Sequence, residues 1–70
     1  MEVYKRETEE IIKRFLDRRI GFHECMIALD AAVAGLIPKM TPEELEAVKV
    51  QMAANHAIVT EEMERRRRRS

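Results

Sequence analysis

Ile20–Met40 reads IGFHECMIALDAAVAGLIPKM. Set at about 100° per residue, Phe22, Met26, Leu29, Val33 and Leu36 fall on one stripe at alternating four- and three-residue steps, the core-facing pattern of an amphipathic helix. Cys25, Ala28, Ala32 and Gly35 form a row of small residues beside it, and Ile27, Ala31 and Ala34 make a second, shallower apolar face. Between Phe22 and Ile37 only His23, Glu24 and Asp30 are polar. A helix apolar nearly all round is normally buried all round. The segment therefore has more apolar surface than two short neighbouring helices can cover, which implies a partner.

Both ends of this helix are legible. Gly21 can serve as N-cap with Glu24 reaching back toward it, and Ile20 with Cys25 supplies a hydrophobic staple. Gly35 is placed for a left-handed cap, and Pro38 disfavours helical geometry at Ile37, so the helix stops between Ala34 and Ile37.

Upstream, Glu2 to Arg19 contains no Gly or Pro, and Tyr4, Ile11, Ile12, Phe15 and Leu16 gather on one side at helical spacing. Glu2 with Arg6, Glu9 with Lys13 and Glu10 with Arg14 are four-residue pairs with the acid first, on the opposite side. Arg18, Arg19 and Gly21 close this helix.

Downstream, Thr41-Pro42-Glu43-Glu44-Leu45 combines a capping threonine, proline at the first helical position and Glu44 placed to complete a capping box, with Met40 and Leu45 as staple. The helix that follows runs without a breaker to at least Glu64. Leu45, Val48, Met52, His56, Val59 and Met63 form its main stripe; Ala47, Val50, Ala54, Ala57 and Ile58 give it a second face that another helix can approach closely. No run alternates as a strand does. The connections are short, so neighbouring helices pack antiparallel.

Seventy residues make one domain at most, and a chain of this size buries only about 60% of the surface its unfolded form exposes. Small domains add disulfides, a metal or a partner. One cysteine forms no internal disulfide, and no Cys/His cluster has zinc-site spacing, which leaves oligomerisation. Thirteen basic and thirteen acidic residues cancel, so no net field draws the chain to nucleic acid or membrane. The charged amino terminus lacks a signal-peptide core and the apolar run Ala31–Pro38 is far too short to span a bilayer. The expected location is cytoplasmic, with no membrane partner.

Arg65, Arg66, Arg67, Arg68 and Arg69 are candidate polyanion contacts. The competing reading is a solvated helix end, in which Glu61 pairs with Arg65, Glu62 with Arg66 and Glu64 with Arg68, and the cations complement the helix dipole. No aromatic residue interleaves with them to stack a base, so nucleic acid is the less favoured partner. Asp30 and His56 can form a structural pair or a general-base site. No nucleophile stands out: the only serine is Ser70, Thr41 is explained as a cap, and Thr8 and Thr60 have no recognisable partner. His23, Glu24 and Cys25 fan over roughly 200° and cannot converge on one ion. Cys25 reads as a small core residue. Ile27–Ile37 resembles the long helix of all-helical chorismate mutases, but those enzymes project basic residues inward and here the inward positions are apolar, so no activity is carried over.

The expected architecture is all-α: a three-helix antiparallel chain, about 2–19, 22–36 and 42–66, assembling as a helical-bundle homodimer. Its domain is 1–64, with 65–70 a basic tail. The expected interface comprises Ile27, Ala31, Ala34, Ala47, Val50, Ala54, Ala57 and Ile58, and a glutamate at Ile27 or Ile58 is expected to break the dimer and unfold the protomer. The expected function is a non-catalytic oligomerisation or protein-interaction module without cofactor or metal. A regulatory or nucleic-acid-associated dimer using the arginines is the alternative, and a small helical enzyme the second.

Overall fold

A computed structural model describes residues 2–69; Met1, Ser70 and the side chain of Glu2 lie outside the description, and with them the expected Glu2–Arg6 pair. Three α-helices follow one another: α1 (Glu2–Leu16), α2 (Phe22–Ala34) and α3 (Pro42–Arg69), with a 3-10 turn at Ile37–Lys39 and no strand among the described residues. They pack up, down, up. Tyr4 near the start of α1 meets Val33 at the end of α2 and Val48 in the first half of α3, while Phe15 at the other end of α1 meets Cys25 and Val59. At 1.5 Å per residue, the 28 residues of α3 span about 42 Å, which accounts for the 44 Å long axis of the molecule.

Two apolar clusters hold the helices. One joins Ile12, Phe15, Cys25, Leu29 and Val59, flanked by Ile20, Phe22, Met26 and Met63. The other joins Tyr4, Val33 and Val48, flanked by Leu36, Met40 and Met52. The stripe read along the second helix is thus the core stripe, with Cys25 at its centre rather than beside it.

The ends of α1 and α2 differ from the sequence expectation in a related way. α1 stops at Leu16, not at Arg19, because Arg18 turns left-handed at φ 62°. The Arg18 N–H then donates to Phe15 O at 3.0 Å and the Arg19 N–H to Arg14 O at 2.8 Å, the paired bonds of a Schellman cap. Arginine occupies the position where glycine is usual. Gly35 behaves in the opposite manner. Its φ of −72° and ψ of −17° are right-handed, since α2 tightens into three-residue bonds, Leu36 N–H to Val33 O and Lys39 N–H to Leu36 O, instead of reversing direction.

The two helix starts follow the capping pattern. The Gly21 N–H donates to Glu24 Oε1 at 3.2 Å. At α3 the box is complete: the Thr41 N–H donates to Glu44 Oε1 at 3.0 Å, and the Glu44 N–H to Thr41 Oγ1 at 3.2 Å. α3 extends beyond the expected end at 66 and carries the arginines to Arg69 as helix.

A left-handed L-residue costs about 1–2 kcal/mol, and a right-handed glycine in open space gains about 0.4–1 kcal/mol when replaced by alanine. A Cβ on Gly35 would meet nothing within 4 Å. Arg18→Gly and Gly35→Ala are each expected to raise the urea midpoint at unchanged slope, a stability gain of about 0.5–1 kcal/mol, whereas Arg18→Ala, which keeps a Cβ at the left-handed position, gives no such gain.

Candidate functional surfaces

A polar layer separates the two clusters. In sequence the polar residues fall between members of the two: buried Thr8 between Tyr4 and Ile12, exposed Asp30 between Leu29 and Val33, and buried Asn55 with half-buried His56 between Val48 and Val59. Thr8 is buried and shares its hydroxyl proton between Tyr4 O at 3.1 Å and Lys5 O at 3.0 Å, which satisfies it within its own helix. Asn55 is buried and accepts from Gln51 Nε2 at 3.0 Å. Burial raises the Tyr4 phenol pKa, a hydrogen-bonding interaction with Asn55 pulls it down by less, and the Asp30 charge pushes it up further. Burial likewise raises the Cys25 thiol, which fits a core residue and not a reactive one.

Asp30 and His56 do come together: His56 Nε2 stands 3.5 Å from Asp30 Oδ1, across the α2–α3 contact. That is ion-pair range for an imidazolium and long for a hydrogen bond. His56 Nε2 and Asn55 Nδ2 are buried without a hydrogen-bond partner among the described residues. The stripe read through His56 is in fact centred on Asn55, which is the fully buried residue, while His56 sits at the edge. A step of seven from Val48 to Asn55 and four to Val59 carries the better-centred stripe, and Thr8, four residues from both Tyr4 and Ile12, was visible by the same count.

All eight expected interface residues are exposed, but on two surfaces. Ile27, 69% exposed, belongs with Ala31 and Ala34 to the outer face of α2, and Ala31 lines a groove with Glu7, Glu10, Ile11 and Arg14 of α1. Val50, 71% exposed, lies with Ala47, Ala54, Ala57 and Ile58 on the outer face of α3. Ile58, 41% exposed, lines a groove with Glu9, Ile12, Lys13 and Leu16 on the opposite flank of α1. Three helices round one axis turn their outer faces about 120° apart, so the α2 and α3 strips do not merge.

The arginines also divide. Consecutive helical residues fan at about 100°, so the five point all around α3. Arg66 turns inward: its Nη2 donates to Phe15 O at 3.0 Å, its Nε to Glu62 Oε2 at 2.9 Å, and its guanidinium lies 4.5 Å from the Phe15 ring centroid. It therefore binds a carbonyl at the Schellman end of α1 and covers the ring beneath. Arg65 also reaches Glu62, at 3.1 Å, and Arg67 reaches Glu64, at 3.1 Å, so three-residue pairs stand where four-residue ones were expected at Arg65. Glu62 with Arg66 is the expected pair. Arg65, Arg68 and Arg69 are exposed.

Among the described residues no group of His, Cys, Asp and Glu could hold a metal ion, and no helix is long and apolar enough to cross a membrane. No family model, curated protein or solved structure matches the chain.

Two outcomes follow from the charged contacts. Arg66→Ala is expected to lower stability by about 1–2 kcal/mol in urea melts, Arg66→Lys by less, and Arg68→Ala by under about 0.5 kcal/mol. Hydrogen bonds from Thr41 hold the Glu44 carboxyl below its ordinary 4.5, and those from Arg65 foremost do the same for Glu62. A carboxyl depressed in the folded state stabilises fully above its unfolded pKa and progressively less as pH falls through the folded value. The thermal midpoint is therefore expected to drop as pH falls below about 4.5, and a Glu44→Gln, Glu62→Gln double variant to show a shallower acid-side drop.

Proposed function

We propose that the chain is a non-catalytic association module that docks on a second copy of itself through the outer face of α3. The observation that carries this reading is the exposure of Val50 and Ile58 on one continuous strip with Ala47, Ala54 and Ala57. Both apolar clusters close without these residues. In a two-fold interface each side chain is buried twice, and full burial of a Val or Ile contributes about 1.5–3 kcal/mol before ordering costs. The alanines favour a close helix–helix approach, which brings those two larger side chains into contact.

The chemistry of the remaining surface supports a binding role over a catalytic one. The Asp30–His56 pair lines neither of the two grooves described between the helices, which fits a part in setting the α2–α3 register. Arg66 is held on Phe15, and although Arg65, Arg68 and Arg69 share one exposed face by their spacing of three and four, no aromatic residue stands among them to stack a base. The outer face of α2 with Ile27 is the smaller strip and is not needed for a two-fold pairing of α3.

Sedimentation equilibrium at micromolar concentration is expected to give twice the mass of the 8.2 kDa chain. Val50→Glu and Ile58→Glu are each expected to yield a monomer that keeps its helical circular dichroism in the cold, because neither residue belongs to the core clusters. Ile27→Glu is expected to leave the dimer intact. A wild-type monomer at these concentrations would remove the reading.

A further inference from the structure

The outer face of α3 carries charge at both ends of its apolar strip. Glu43, in the first turn, and Arg65, near the last, are both exposed, and helical spacing from Val50 places both on the same outer side. Ala54 lies midway in the sequence between Val50 and Ile58, and it is also midway between Glu43 and Arg65. A two-fold axis passing by Ala54 therefore sets each Val50 against the Ile58 of the second copy, and each Glu43 against its Arg65. One antiparallel register thus satisfies the large apolar pair and the charge pair together. A parallel pairing in register would instead put Glu43 against Glu43 and Arg65 against Arg65.

We propose that two copies pair antiparallel along α3 about Ala54, with Glu43 of each facing Arg65 of the other; this rests on the self-association reading above. Antiparallel helices also set the positive N-terminal end of each dipole beside the negative C-terminal end of its neighbour, in the same sense as the side-chain charges. Arg65 already holds Glu62 at 3.1 Å, yet its side chain remains half exposed, and a guanidinium has donors for two carboxylates. The charge pair sits at the rim of the strip, where it selects orientation more than it adds affinity.

The test is a charge exchange read by sedimentation and by energy transfer between labelled chains. Glu43→Arg alone and Arg65→Glu alone each place like charges opposite one another twice per dimer, and each is expected to weaken self-association about tenfold. Mixing the two single variants restores attraction at both ends and is expected to give a heterodimer as tight as the wild-type dimer, as is the chain carrying both exchanges. A second measurement reads orientation without charge: Val50→Cys and Ile58→Cys chains, mixed and oxidised, are expected to cross-link to one another and poorly among themselves, with Cys25 buried and out of reach. A dimer indifferent to the single exchanges, or a Val50→Cys chain that cross-links efficiently to itself, overturns the antiparallel register while leaving self-association standing. A wild-type chain that stays monomeric overturns both.

Discussion

Three helices packed round one axis can each turn only one stripe toward it, and everything else about this molecule follows from how its sequence meets that limit. α1 meets it in part: Tyr4, Thr8, Ile12 and Phe15 are buried and most of its other residues are charged, but Val3 is exposed, and Leu16, expected on the inward side, is 45% exposed. α2 and α3 exceed it. Their core stripes are filled by Cys25, Leu29 and Val33 on one and Val48 and Val59 on the other, and the apolar residues that remain, Ile27 and Val50 above all, have no inward direction left to point. The leftover strip on α3 is the longer, because α3 is about twice the length of either neighbour.

The interior is not a uniform apolar core. Thr8 and Asn55 are buried between the two clusters, and the Asp30–His56 pair borders them at the surface, with the Asp30 side chain 64% exposed. The two buried residues contribute little net stability, since each group must be desolvated, but they make an axial slip of one helix costly by stranding its partners. The Phe15 end of α1 is fastened from outside. The Phe15 carbonyl accepts both the Arg18 N–H of the Schellman cap and the Arg66 guanidinium, and the same guanidinium covers the Phe15 ring. One arginine of a run that reads as a solvated terminus is thus a structural clamp between the first and last helices.

Local chemistry was legible in the linear chain wherever it is satisfied within a few residues. The Thr41–Glu44 box, the Gly21–Glu24 bond, the stop of α2 at Ala34 and the number and class of helices all follow from spacing of 3.6 residues and from cap residues. The exposure of Ile27, Val50 and Ile58 followed as well, whereas that of Val3, Leu16 and Ile37 did not. Both glycines do cap α2, Gly21 at its start and Gly35 at its end, but the left-handed reversal falls on Arg18 after α1 and Gly35 stays right-handed, because which turn forms depends on where the next helix must go.

Long-range placement was not legible. Asn55 and His56 are adjacent and differ by about 100° in direction; the count from Val48 to Val59 favours Asn55 for the interior, but that its neighbour there is Tyr4, 51 positions away, depended on the rotation of α3. Arg66 differs from its four neighbours in the run only by the helical phase that aims it at Phe15, a residue 51 positions away. That α2 and α3 turn their spare faces to opposite flanks of α1 likewise depends on three bodies packed at once. Periodicity along a chain specifies what each helix must hide; the mutual rotation of the helices settles which side chains meet and which face is left for a partner.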